Sequence, residues 1–238
     1  MDIIPAIMER RSYRKFKDLA VPDDLLGALV EAGSHAPSAG DLQSWKFVVV
    51  KDQSKKNKIS ELADGQTWIS SAPALIVVCS DESIIKKFYK TRSDILSIQN
   101  CSAAAQNILL TAHSLGLGAC WIGGFEKEAV SEEVGAPGGS AQVMIAVGYP
   151  DEKLKKKKVR PLKEVMSLES YGSGVKSISN FLYDWSSVMQ QEVSEMVDDV
   201  HDILAKELKS SGDELSKKWK KISKNISERM KTWIRRKF

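Results

Sequence analysis

Ala36-Pro37-Ser38-Ala39-Gly40-Asp41-Leu42-Gln43-Ser44-Trp45-Lys46-Phe47-Val48-Val49-Val50 is the stretch on which the fold turns. Pro37 and Gly40 mark a loop of small and polar residues. The loop runs straight into residues 47–50, whose unbroken apolar run predicts a strand buried on both faces. Upstream, Pro22-Asp23-Asp24 opens a helix with Leu25, Leu26, Leu29 and Val30 on one face, ending near Gly33. Farther back, Asp2 as N-cap and Pro5 in the first turn predict a short helix to about Arg10. Downstream, Ala74-Leu75-Ile76-Val77-Val78-Cys79 reads as a second buried strand directly after Pro73. Residues 94–115 read as a long helix of small residues, suited to close packing and stopped by Gly116-Leu117-Gly118. Residues 119–122, ending in Gly123-Gly124, and residues 142–149, closed by Pro150, supply two more strands. The class is α+β, with few strands and much helix.

The chain has 238 residues, 42% of them hydrophobic and 28% charged, which is enough apolar material for a core and excludes disorder throughout. Cys79, Cys101 and Cys120 are too few and too scattered for a disulfide framework and lack zinc-ligand spacing. They read as small buried thiols. The N-terminal MDIIPAIMERRS lacks a basic leader region and a cleavage signal, and no apolar run reaches the ~20 residues of a membrane span, so the expected setting is cytoplasmic. The net charge of +4 divides unevenly: residues 1–174 carry +1, residues 175–208 carry −5 and residues 209–238 carry +8. A near-neutral domain over 1–174 is therefore followed by an extension over 175–238.

Four segments can carry chemistry. In Arg10-Arg11-Ser12-Tyr13-Arg14, two guanidiniums and a hydroxyl share a face whether the segment is helical (10 and 14) or extended (10, 12 and 14). Such a set suits a phosphate, although a solvated basic turn has the same composition. The 36–45 loop offers a hydroxyl, a carboxylate and an amide to the polar edge of a heterocycle, and reads equally as a plain helix-to-strand connection. Residues 116–125 place glycines around a strand, where a flat ligand can approach the backbone, but do not form a dinucleotide fingerprint. The Lys155–Lys158 run and Arg160-Pro161-Leu162 form a solvated basic segment or supply a phosphate ligand. His35, His113 and His201 have no catalytic partner in sequence.

Taken together, in this order, these segments resemble the nitroreductase family of FMN-dependent oxidoreductases. The resemblance covers about residues 3–166. It rests on Arg-Arg-Ser-Tyr-Arg, the 36–50 stretch, Gly65-Gln66-Thr67-Trp68-Ile69 before Ala72-Pro73, residues 116–123, Gly148-Tyr149-Pro150 and Arg160-Pro161-Leu162. It implies a central mixed or antiparallel sheet flanked by helices. It also implies FMN as a tightly bound cofactor, NADH or NADPH as reductant, and a homodimer with FMN at the interface. The small-molecule acceptor would be a nitroaromatic, a quinone or a flavin, reduced in ping-pong fashion. Carried onto this chain, the resemblance gives the FMN phosphate, ribityl chain and pyrimidine side to Arg10, Ser12 and Arg14, with Arg11 alongside them. Pro37, Ser38 and Ala39 line the flavin from the partner subunit, and Asp41 and Gln43 face the ring and ribityl groups. Ile122, Gly123 and Gly124 bring backbone amides to the N5 edge, and Arg160 closes on the phosphate. The cofactor carries the chemistry, so no catalytic side chain is called for. Two positions depart from the family pattern: Asp41 stands where Asn is usual, and Ser44 where Pro is usual.

The extension lies outside this resemblance. Apolar residues at 178, 182, 185, 189, 193, 196, 200 and 203 form a helical stripe, and a second runs from Leu215 through Trp219, Ile222, Ile226 and Met230 to Trp233. With the break at 210–213, they predict a helical hairpin whose acidic and basic arms face each other, or an arm joining subunits. The basic second helix with Trp219 and Trp233 also suits an anionic membrane surface. Nucleic acid ranks lowest, since no base-reading motif accompanies the charge. A non-catalytic flavin-binding or flavin-sensing protein, with the extension as effector, is the alternative to an enzyme.

Overall fold

The computed structural model describes residues 3–137, 140–155 and 157–183, and the chain divides into two units, Met1–Lys157 and Lys158–Phe238. The first unit is a three-layer α+β domain. Its sheet has four strands: β1 (Trp45–Val50), β2 (Ala74–Ser80), β3 (Gly118–Ile122) and β4 (Ala141–Gly148), in the order β1-β2-β4-β3. Every pairing between named strands is antiparallel. The helices are α1 (Ile3–Glu9), α2 (Asp23–Ser34), α3 (Gln53–Leu62), α4 (Glu82–Tyr89), α5 (Ser93–Ser114) and α6 (Lys127–Glu133).

Strand periodicity builds the layers. Ala74, Ile76 and Val78 of β2 and Val143, Ile145 and Val147 of β4 face one core, shared with Leu26 and Leu29 of α2 and Cys101, Ala105 and Ile108 of α5. The intervening residues Leu75, Val77, Met144 and Ala146 face a second core with Ile59 of α3, Ile69 and Val130 of α6. Because β2 and β4 are central, they are buried on both faces, as their apolar runs predict.

The corresponding expectation for β1 is corrected. Among the described residues it pairs only with β2 and is an edge strand: Lys46 is exposed and Val49 is 39% exposed. An unbroken apolar run identifies a strand but not its neighbours. Three helices of this unit, α3, α4 and α6, go beyond those expected. One of them, α3, is mostly polar and is set by its N-cap, Asp52, whose side chain accepts from the Lys55 N–H at 2.8 Å.

All three thiols are buried. Burial pushes the Cys101 thiol up to about 12 and also raises Cys79 and Cys120. The native protein is therefore expected to resist a thiol reagent at neutral pH, with all three thiols reacting once denaturant is added. Rapid labelling of the folded chain would contradict this packing.

The second unit contains a short helix α7 (Leu162–Val165) and a 3₁₀ turn at Ile178–Phe181. The predicted hairpin begins with that turn rather than an α-helix, and its remainder, residues 184–238, lies outside the described residues.

Candidate functional site

Beyond the end of α1 the chain becomes extended. Ser12 forms a parallel bridge with Ala119 on β3, and Phe16 an antiparallel bridge with Pro150 after β4. The Tyr13 N–H donates to the Ala119 carbonyl at 3.1 Å, and the Lys17 N–H to the Tyr149 carbonyl at 2.9 Å. Of the two conformations the sequence allows for this segment, the extended one is adopted. Gly118 permits it, since a Cβ there would lie 3.0 Å from Tyr13 Cβ.

The segment gathers Arg10, Ser12 and Arg14 around Cys120 of β3. Burial raises the Cys120 thiol, opposed by the Arg14 guanidinium, a hydrogen bond with Ser12 and the Arg10 guanidinium. Arg14 also lies over the Trp68 ring, 5.6 Å from its centroid. Among the described residues, Arg10 Nε is buried with no hydrogen-bond partner. A buried, unsatisfied guanidinium N–H beside a second guanidinium and a hydroxyl fits a phosphate. Arg11 is used differently: its Nη1 donates to the carbonyls of Glu9 at 3.2 Å and Arg10 at 3.0 Å, closing the C-terminus of α1.

Glu152 fixes the segment from the other side. One carboxylate oxygen accepts from the Arg14 N–H at 2.6 Å and the Lys15 N–H at 3.0 Å. Glu152→Ala is expected to weaken phosphate binding at this cluster about tenfold, the effect of losing ~1.5 kcal/mol of charge-assisted anchoring, and Glu152→Gln to restore most of it by keeping the acceptor. Calorimetric titration with inorganic phosphate checks this; equal affinity in all three proteins would contradict the anchoring role.

The loop between α2 and β1 is a second polar centre. The Gln43 N–H donates to Ser38 Oγ at 2.9 Å, and Gln43 Nε2 donates to Asp41 Oδ1 at 3.2 Å. Gly40, Asp41 and Gln43 all have left-handed backbone, with φ of 60°, 53° and 48°. Asn100 of α5 reaches both ends of the loop: its Oδ1 accepts from the Ala39 N–H and its Nδ2 donates to Ser44 Oγ, each at 3.0 Å. Pro37 precedes this hydrogen-bonded turn.

At the third centre, Ile122 ends β3 and is buried, while Gly123 and Gly124 follow in the exposed loop. A Cβ on Gly123 would approach the Trp121 indole at 3.4 Å, and one on Gly124 the Asp64 carboxylate at 3.4 Å. Arg160 belongs to the second unit, where its Nη2 donates to the Glu164 carbonyl at 3.2 Å.

The structure thus brings Arg10, Ser12 and Arg14 together with the residues around Cys120. Residues 38–44 lie near the β1 edge of the sheet, whereas the arginine segment lies along the β3 edge. Three strand spacings separate these edges, about 14 Å. Asn100, Glu152 and Trp68 join the site without having been marked as functional in the sequence. An Asn in a small-residue helix and a Glu after a strand carry no local signal, because their partners lie far along the chain.

Residues 7–70 and 65–149 match the sequence profile of the Nitroreductase family. A relative from Methanothermobacter thermautotrophicus, provisionally named NADH dehydrogenase/NAD(P)H nitroreductase, is 42% identical over 130 residues. That alignment covers 54% of this chain and 64% of the relative, so the chain spans less than two thirds of that protein's length. The NADPH-flavin oxidoreductase of Vibrio harveyi is 31% identical over 177 residues, covering 71% of this chain and 74% of its own. The FMN-dependent nitroreductase of Clostridium difficile R20291 superposes with a TM-score of 0.61 at 30% identity, covering 71% of this chain and 99% of that one.

Proposed function

The chain belongs to the nitroreductase family, and on that premise we propose that it is an FMN-dependent oxidoreductase. It takes reducing equivalents from NADH or NADPH and delivers them to nitroaromatic, quinone or flavin-type acceptors in ping-pong fashion. The observation that carries this reading is the cluster of Arg10, Ser12 and Arg14 on the β3 edge, with a buried Arg10 Nε that lacks an acceptor among the described residues. Names of relatives point the same way: one is an NADPH-flavin oxidoreductase and another an FMN-dependent nitroreductase.

Bound FMN would supply the hydride and electron transfer. The protein's part is binding and orientation. Arg10, Ser12 and Arg14 hold the phosphate. Asp41 and Gln43 meet the polar edge of the ring, and Ile122, Gly123 and Gly124 offer backbone amides. In steady-state assays with NADH or NADPH and a quinone or nitroaromatic acceptor, parallel double-reciprocal lines are expected. Absence of acceptor-dependent turnover in flavin-loaded protein would remove the enzymatic reading.

The working form is proposed to be a homodimer in a cytoplasmic setting. The 14 Å separation of the two polar edges, again an estimate of about three strand spacings, supports giving residues 37–39 to the flavin of the partner subunit. Ile95 and Ile98, one turn apart on α5, are 57% and 50% exposed, and Phe88 of α4 is 63% exposed, which is apolar surface suited to a partner. Ile98→Asp is expected to convert the dimer to a monomer in light scattering and to weaken flavin binding by about tenfold or more. A dimer of unchanged mass and affinity would place the interface elsewhere. The extension from residue 175 is proposed as a helical hairpin or subunit-joining arm.

A further inference from the structure

Asn100 is only 3% exposed, and both ends of its amide are used. The carbonyl oxygen accepts from the Ala39 N–H and the amide nitrogen donates to the Ser44 hydroxyl, each at 3.0 Å. These partners begin and end a short loop. Ser44 is fully buried, and its own carbonyl accepts from the Asp81 N–H at 3.0 Å, so the end of the loop is also tied to the exit of β2.

Between the two ends the backbone is strained. Gly40 tolerates its left-handed conformation without cost, and a Cβ there would lie 2.7 Å from Tyr89 Oη. Asp41 and Gln43 are not glycines, yet they share that conformation. Side-chain residues hold it only where surrounding bonds over-determine it. Here those bonds are the Asn100 contacts and the Gln43 N–H to Ser38 Oγ bond. The strained conformation brings the Gln43 amide to the Asp41 carboxylate at 3.2 Å, fixing the two side chains as one polar unit on an exposed loop. A plain helix-to-strand connection has no need of two strained residues and a buried amide beneath them.

We propose that Asn100 is a positioning residue: by clamping Ala39 and Ser44 it holds the Asp41–Gln43 pair in the orientation that meets the flavin ring. The proposal rests on the flavin-binding reading above. It also gives Ser44 a role. Where the family pattern has proline, this chain has a hydroxyl, and that hydroxyl is the acceptor at the far end of the clamp. The clamp lies near the β1 edge and the arginine cluster at the β3 edge, so their effects on a ligand separate. The clamp governs the ring, and the arginines govern the phosphate.

The experiment compares full-length wild type, Asn100→Ala and Ser44→Ala. FMN and riboflavin, which lacks the phosphate, are titrated by fluorescence quenching, and the visible circular dichroism of the bound flavin is recorded. In Asn100→Ala, riboflavin affinity is expected to fall about tenfold, as for loss of paired hydrogen bonds. The visible dichroism of bound FMN is expected to change as well. Ser44→Ala, which removes one end of the clamp, gives smaller changes in the same direction and decides the matter if Asn100→Ala does not fold. Variants with lowered melting temperature but wild-type flavin affinity and dichroism would reduce Asn100 to a structural residue and overturn the proposal. A wild-type protein that binds neither FMN nor riboflavin would overturn the flavin reading itself, and the proposal with it.

Discussion

Replacing Arg10 with alanine is expected to raise the Kd for FMN about 100-fold, since truncating one partner of a buried charged pair costs roughly 3 kcal/mol. The same change is expected to leave the melting temperature of the flavin-free protein unchanged or slightly higher. The opposite signs come from one atom. Arg10 Nε is buried with no acceptor among the described residues, which is a cost to the folded chain by itself. That cost is recovered only when a ligand provides the acceptor. Arg10→Lys keeps the charge but loses the planar fork, and is expected to fall between the two. A variant that binds FMN normally, or that is destabilised without flavin, would assign Arg10 to structure instead.

The second large effect is expected at Gly148, the last residue of β4. Gly148→Ala should destabilise the fold by about 3 kcal/mol through overpacking, lowering the melting temperature by roughly 9 °C for a chain of this size. An added Cβ would lie 2.5 Å from Pro73 Cδ and 2.9 Å from Phe16 Cδ1. Neither neighbour yields easily: Pro73 leads into the central strand β2, and Phe16 is bridged to Pro150. Phe16 also continues the segment that carries Arg10, Ser12 and Arg14. Flavin affinity should therefore fall together with stability, as thermal unfolding and flavin titration would show. Gly118→Ala, across the register from Gly148, meets Tyr13 side-chain atoms at 3.0 Å and is expected to cost less, about 1 kcal/mol. Wild-type stability in Gly148→Ala would contradict the packing described here.

What the sequence reveals, and what it hides, follows from the range of each interaction. The central strands β2 and β4 are legible because burial on both faces forces unbroken apolar runs, and α5 because its small residues pack against both α2 and the sheet. The position of β1 at the edge is not legible, since an apolar strand has the same composition wherever its neighbours lie. In the site, Arg10, Ser12 and Arg14 can be picked out because their own spacing gathers them. Arg11 has the same chemistry but turns back to close α1, a choice made by backbone carbonyls rather than by residue type. Asn100 and Glu152 act on partners 61 and 138 residues away, so no local pattern could mark them.

Asp41 and Ser44, which stand where the family pattern has Asn and Pro, each find a partner in the fold. Asp41 accepts from Gln43, and Ser44 accepts from Asn100. Both side chains accept hydrogen bonds, Asp41 from within the loop and Ser44 from α5.

The most direct test of the central claim is anaerobic spectroscopy of the purified full-length chain after incubation with FMN and removal of the excess. Flavin absorbance at about one FMN per chain, bleached on addition of NADH or NADPH and restored by a quinone, is the result expected of a cofactor-carried oxidoreductase. A colourless protein that retains no FMN would contradict the account.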